Sequence, residues 1–444
     1  MLRTYFEPSH MQVKTINWLT FLLESELRTL PPDDALTRTR ILDQLDINRS
    51  ILAPIRRVPV ELLSYIFSLI VKESPLRTLN IAVTLSRICI AWRQVARAHA
   101  ALWTTVYVEN LVDFDDYCEL FLPLTKDMTL ELRCDNPEIL LDLWDRMTLY
   151  TSRWRRITLG AHLSALPDLK VLHMEKLERL VAFAYDAPNS ADLSALDFVV
   201  APHLRHIGLT IDALQSERQL HVPVARALTS LEIDVMTPFP VTHALPLIRA
   251  CAETLQILTL KICHPLEDSE GAYPTSASDT FIMKALDILN LIGPACALLN
   301  HITAPHIEEL AVGHVPAYGT RSLMGFLTRD QTSRNLRTLR VYTVAEREIS
   351  SWIPCLQHMN HLRSLYFDDL LSSKEFLERL TLHADRPILL PSLKYIAIWS
   401  IFHDNPDLQK IIAEMCASRA KFTVVHGRRR LETINWIDET FEFI

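Results

Sequence analysis

Glycine is scarce in this chain, with 8 in 444 residues. None falls in a G-x-G-x-x-G, G-x-x-x-x-G-K or G-x-S-x-G pattern, which removes the phosphate-cradling loops and the strained turn that lifts a nucleophilic serine. No His-Glu-x-x-His occurs among the 17 histidines. Pairs such as His203/His206 and His301/His306 flank the starts of a repeated pattern described below, with one partner expected at the surface, so no metal site is expected. The adjacent carboxylates Glu308/Glu309 and Asp368/Asp369 face opposite sides of a strand, the wrong arrangement for shared acid–base work. The expectation is a non-catalytic protein without a cofactor.

Other absences narrow the setting. The 8 cysteines stand singly, without a Cys-x-x-Cys pair, and read as buried thiols in a reducing compartment. Positive charge is lacking: the net charge is −8 and the pI near 6.1, so a general nucleic-acid or anionic-membrane binder is not expected. The one basic run, His426 to Arg430, is short and reads as a solvated turn. Long apolar runs are missing too. The most apolar window, "ALDILNLIGPACALLNHI", is interrupted by Asp287, Asn290, Pro294 and Asn300 and is too short to span a bilayer. Glu7, His10 and Lys14 precede the N-terminal apolar run, which makes a poor signal peptide. A cytoplasmic or nuclear protein is expected.

What is present is the composition of a folded chain, 49% hydrophobic and 22% charged, arranged in three zones. Residues 1–52 read as two amphipathic helices separated at "LPPDD", where Pro31 and Pro32 stop one and Asp33 or Asp34 caps the next. Leu36, Ile41, Leu42, Leu45 and Leu52 form a stripe on the second, either packing on its neighbour or serving a coiled-coil partner. In the second zone, Pro54 to Trp103, Pro59 opens a helix at its first position and Glu61 falls in the first turn. Leu62, Leu63, Ile66, Phe67 and Ile70 then form one broad apolar stripe. Ala82, Leu85, Cys89, Trp92 and Ala96 continue at helical period, with room for a bend. About fifty residues in two or three helices enclose little core, so docking onto another surface is expected.

The third zone repeats. An apolar-x-x-apolar-x-apolar pattern recurs at Leu204/Ile207/Leu209, Leu228/Leu231/Ile233, Leu255/Leu258/Leu260, Ile307/Leu310/Val312, Leu336/Leu339/Val341, Leu362/Leu365/Phe367 and Leu393/Ile396/Ile398. Successive starts lie 24, 27, 52, 29, 26 and 31 residues apart, so the step of 52 holds one degenerate or padded unit. Trp154/Ile157/Leu159 is an earlier unit. Between them either Leu169/Leu172/Met174 or Leu177/Leu180 carries the pattern. The last two apolar positions of each unit alternate as in a strand, while the intervening segments carry helical signals.

These residues resemble two known families. "VPVELLSYIF" resembles the start of the F-box, with Val58, Pro59, Glu61, Leu62, Ile66 and Phe67 in the family's places, and Ile88-Cys89, Trp92-Arg93 and Leu102-Trp103 match its later half. The repeat resembles the leucine-rich repeat. It departs where that family carries an Asn or Cys to bond the loop backbone: the residues there are Asp212, Met236, Cys263, Val315, Val344, Leu370 and Ile401, and only Cys263 fits. The layout is similar to the large F-box families of mushroom-forming fungi.

The resemblance implies an α/β fold: N-terminal helices (1–52), a three-helix F-box (53–104), a connecting segment or first repeat (105–149), an irregular leucine-rich-repeat solenoid of parallel strands with intervening helices (150–425) and a tail (426–444). It also implies a substrate receptor of an SCF-type ubiquitin ligase. The F-box would dock a Skp-family adaptor carried by a cullin scaffold, and the repeats would hold a protein substrate. The alternative is an interaction protein that uses the adaptor without a cullin. The expected adaptor anchors are Pro59, Leu62, Ile66 and Phe67, with Val58, Leu63, Cys89 and Trp92 in or just behind the contact. On the concave face such an array implies, the expected substrate residues are Arg340, Tyr342, Tyr366, Asp368, Tyr395 and Trp399. Aromatic and arginine enrichment marks binding hot spots.

Overall fold

The computed structural model describes residues 8–31, 34–73, 77–162, 171–185, 199–211, 228–263, 280–316, 318–329, 332–342, 349–368, 374–383, 388–399, 410–411, 413–415, 417–419 and 433–435. The chain is mixed α/β and divides into two compact units, Met1–Cys134 and Asp135–Ile444.

The first unit begins with α1 (His10–Thr29) and α2 (Ala35–Leu52). A capping box opens α1, in which Ser9 and Gln12 each accept the other's backbone N–H. Asp34 caps α2 by accepting from the Thr37 N–H at 3.1 Å. The two helices are joined by Asn48 donating to Thr20 Oγ1 and by an Arg49–Glu24 ion pair. Of the expected α2 stripe, Ile41 and Leu45 are buried, but Leu36 and Leu42 are exposed. A 3-10 turn, Pro54–Arg57, leads into α3 (Val60–Lys72), followed by α4 (Thr78–Ile88) and α5 (Ile90–Ala98). The helical period that runs through Cys89 in the sequence is broken there. Cys89 is extended, at φ −158° and ψ 171°, and its Sγ caps α5 by accepting from the Trp92 N–H. Strand β1 (Thr105–Tyr107), helix α6 (Leu111–Asp116) and strand β2 (Leu130–Cys134) follow, with β1 and β2 parallel.

The second unit opens with α7 (Leu140–Met147) and is built on a parallel sheet. Its strands are β3 (Trp154–His162), β5 (Arg179–Tyr185), β7 (His206–Ile211), β8 (Ser230–Val235), β9 (Ile257–Ile262), β11 (Ile288–Ile292), β13 (Glu309–Gly313), β14 (Thr338–Tyr342), β15 (Ser364–Asp368), β16 (Tyr395–Trp399) and β17 (Thr433–Asn435), paired in that order. Two short pairs, β4 (Leu172–His173) with β6 (Val199–Val200) and β10 (Phe281–Ile282) with β12 (Ile302–Thr303), stand apart. Helices α8 (Leu245–Ala250), α9 (Gly319–Thr328), α10 (Thr332–Asn335), α11 (Ile349–Gln357) and α12 (Lys374–Leu380) lie between strands in sequence.

The repeated apolar triples are the buried half of this sheet, as at Leu228/Leu231/Ile233 and Leu336/Leu339/Val341, each 0% exposed. Of the two options in the first stretch, Leu177/Leu180 carries the pattern, with Leu177 just ahead of β5 and Leu180 on it, whereas Leu172 lies on β4, outside the main sheet. The long step contains no degenerate unit. Leu286, just ahead of β11, and Leu289 and Leu291 on it, all 0% exposed, form a full triple. After it the chain turns through Gly293 at φ +67°, where a Cβ would run into the Ile262 carbonyl oxygen.

At the foot of each strand one carbonyl accepts two N–H groups from the next strand. Arg205 and His206 donate to Glu178, Thr229 and Ser230 to Arg205, and Gln256 and Ile257 to Thr229, a scheme that continues to Lys394 and Tyr395 donating to Arg363. Two arginines tie the turns together. Arg419, 5% exposed, donates to the Leu380, Leu389 and Leu390 carbonyls, and Arg329 donates to those of Leu299, Asn300 and Gly325.

Removing such a clamp leaves buried carbonyls unpaired, so Arg419→Met is expected to destabilise the second unit by about 3 kcal/mol. Arg49→Ala, at a pair whose arginine is 60% exposed, is expected to change stability by less than about 0.5 kcal/mol. Urea unfolding of both variants checks the contrast.

Candidate interaction surfaces

Helix α3 is apolar on two sides. Pro59 stands at its N-cap, with φ −54° and ψ 148°, one residue outside the expected first helical position, and its carbonyl accepts from the Leu63 N–H. Glu61 in the first turn and Lys72 in the last match the helix dipole. Leu63, Phe67 and Val71, at i, i+4 and i+8, are buried with Ala82, Leu85, Val95, Ala96, Leu102 and Trp103. The Trp92 ring covers Phe67 at 5.0 Å between centroids, Trp103 Nε1 donates to the Ala96 carbonyl, and Tyr117 OH donates to the Trp103 carbonyl.

Among the described residues nothing covers the other side of α3. Leu62 (55% exposed), Tyr65 (61%), Leu69 (41%) and Ile70 (38%) lie on it with half-exposed Ile66, at i, i+3, i+7, i+8 and i+4. One expected anchor, Phe67, is 0% exposed and packs in the core of the chain itself; Leu63, expected in or just behind the contact, is 3% exposed and lies behind it. Pro59 is exposed, Val58 and Trp92 are half-buried at the margin of the core, and Cys89 is half-buried. Tyr65 and Leu69 are additions to the surface. Their signal is the adjacent pairing of Leu62 with Leu63 and Ile66 with Phe67: neighbours about 100° apart on a helix belong to two faces, not one.

In the second unit, side chains between the buried triples share the half-exposed face of the sheet, and strand register lines them up. Arg340 pairs with Tyr366 and Ser364 with Tyr395; Asp368 and Trp399 are partners in backbone register, and their side chains lie outside the described ones. Three of the six expected residues touch in sequence across strands. The Arg340 guanidinium lies 4.5 Å from the Tyr366 ring centroid, and the Tyr366 and Tyr395 rings are 5.1 Å apart. Tyr342 is half-exposed at the end of β14, opposite Gly313. Glu309 completes the row by accepting from Arg340 Nε at 2.7 Å. Burial alone would lower the Arg340 guanidinium, but the Glu309 bond and charge outweigh it and hold it above its ordinary value. Burial raises the Tyr366 hydroxyl.

A second polar group on this face spans β7 to β11. Lys261 reaches Glu232 at 3.3 Å and Asp234 at 4.0 Å, and Asn290 donates to Thr259. His206 Nδ1 lies 2.8 Å from Ser230 Oγ, while its Nε2 and Asp234 Oδ1 are buried without a hydrogen-bond partner. Burial, and then Arg179, lowers His206 to about 4. Burial raises Asp234.

The cysteines differ from the expected set of buried thiols. Cys134, Cys251, Cys296 and Cys355 are buried, Cys89 and Cys118 half-buried, and Cys263 exposed; Cys416 lies outside the described residues. Cys263 Sγ contacts Met236 Sδ at 3.5 Å, so the residue that fitted the leucine-rich pattern meets its counterpart in the preceding unit. Among the described residues no helix is long and apolar enough to cross a membrane, and no group of three His, Cys, Asp or Glu is placed to hold a metal ion. No protein-family model and no curated protein matches the chain.

Phe67→Ala is expected to cost about 3–5 kcal/mol of stability and Leu62→Ala less than about 0.5, read by thermal unfolding. His206 adds a pH dependence. Unfolded, the ring takes up a proton near its ordinary 6.5; folded, near 4. The unfolded state thus binds more protons in that interval, and stability falls as the pH drops from 7 toward 4. Asp234 acts in the opposite sense, nearer the ordinary carboxylate range. Between pH 7 and 5.5 the Tm of His206→Asn is expected to decline less than that of the wild type.

Proposed function

We propose that this protein is a substrate-recognition subunit of an SCF-type ubiquitin ligase, acting in the cytoplasm or nucleus without chemistry of its own. In this reading residues 53–104 are an F-box that docks a Skp-family adaptor, the adaptor links it to a cullin, and residues 150–425 are an irregular leucine-rich-repeat array that holds a protein substrate. The observation that carries the reading is the division of α3. A core forms behind Leu63, Phe67 and Val71, yet Leu62, Tyr65, Ile66, Leu69 and Ile70 remain as an apolar stripe without cover among the described residues. A partner groove that takes an amphipathic helix reads such anchors at i, i+3, i+4 and i+7. The sequential parallel strands support the second half of the reading, with Arg340, Tyr366 and Tyr395 as the candidate recognition row.

Co-purification tests it. Wild-type protein is expected to retain a Skp-family adaptor, with a cullin and ubiquitin-transfer activity in the same complex. Leu62→Asp with Ile66→Asp is expected to lose the adaptor while keeping the wild-type melting temperature. An intact complex in that double variant contradicts the assignment.

A further inference from the structure

The largest exposed apolar side chains in the first unit outside α3 lie on α1, and none of that helix's residues is buried. The side bearing Thr20 and Glu24 is half-buried and bonded to Asn48 and Arg49 of α2. The opposite side shows Met11 (70% exposed), Trp18 (60%), Leu19 (41%), Phe21 (67%) and Leu22 (41%). Met11, Thr15, Trp18, Leu22, Ser25 and Thr29 follow one another in steps of four and three, which is the spacing of a two-helix seam. Phe21 and Leu19 flank this line on either side.

We infer that this face pairs two copies of the chain through an antiparallel α1–α1 contact. Two observations select a second copy. Four of the five residues fall within positions 18–22, at the midpoint of a helix running from His10 to Thr29. A twofold axis level with position 20, half a residue from that midpoint, sets Trp18 on the partner's Leu22, Phe21 near its own counterpart and Leu19 near its own, which is the self-complementarity an isologous contact requires. Parallel pairing would instead place Phe21 against Glu26 and Leu19 against Lys14. In the antiparallel pair only Lys14 and Arg28 meet unfavourably, at the ends, where solvent screens them. The second observation is size. The five side chains expose about 600 Å² per copy, so a twofold pair buries at most about 1,200 Å², the lower bound for specific interfaces and the size of weak, reversible ones.

Analytical ultracentrifugation of the full chain tests the pairing. The wild type is expected to be dimeric at about 50 µM and to dissociate below about 1 µM. Trp18→Glu with Leu22→Glu is expected to be monomeric throughout, with an unchanged melting temperature. A monomeric wild type at the higher concentration, or a dimeric double variant, overturns the proposal. Mild oxidation adds a check that does not depend on the double variant folding. Phe21→Cys is expected to form a covalent dimer above the wild-type background set by exposed Cys263, and Met11→Cys is not, because the antiparallel register places Met11 opposite Thr29. Cross-linking through Met11→Cys overturns the register. Adaptor capture reads a different helix, so failure of the dimer and failure of the F-box reading are separable.

Discussion

One carbonyl at the foot of each strand holds the second unit in register. From Glu178 to Arg363 it accepts two N–H groups from the following strand, using both of its lone pairs. Because a slip of one residue in a strand would turn its buried triple to solvent, this backbone junction and the apolar alternation enforce each other. The segments between strands then need only return the chain to the next foot, and they differ in length accordingly. Arg329 and Arg419 serve the same end at the turns, where guanidinium groups supply donors to carbonyls that no strand reaches.

The first unit obeys a different constraint. Its helices enclose a core around Phe67 and Trp103 that uses one side of α3, and the residues on the far side are as apolar as those within. A helix that is apolar on two sides needs cover on both. Among the described residues one side is covered, and the other is the face on which the proposed adaptor would dock. α1 repeats the situation more weakly, with one side against α2 and the other carrying Trp18 and Phe21.

Much of this was legible in the sequence where the signal was local. Alternation at period two identified the strands around Leu231, Leu258, Leu310 and Leu339, because burial on one side of a sheet imprints itself directly on neighbouring residues. The β11 unit escaped because Ile288 and Ile292 are apolar on the half-exposed face and the buried turn from Gly293 to Leu299 is apolar throughout, which hides the alternation of Leu289 and Leu291. On α3 the pairs Leu62-Leu63 and Ile66-Phe67 looked like one wide stripe. Which member of each pair is core depends on where α4, α5 and Trp92 come to rest, a tertiary fact. The row of Arg340, Tyr366 and Tyr395 was legible because strand position fixes facing. The burial of His206 and Asp234 was not, since it depends on neighbouring strands, including the bare backbone at Gly208 and Val181 beside it.

The junction at the strand feet is made of main-chain atoms alone, and it is therefore indifferent to which side chains occupy the half-exposed face. Residues such as Arg340, Tyr366 and Tyr395 touch one another but carry little of the framework. An array built this way can exchange the side chains of that face at small cost to whether it folds.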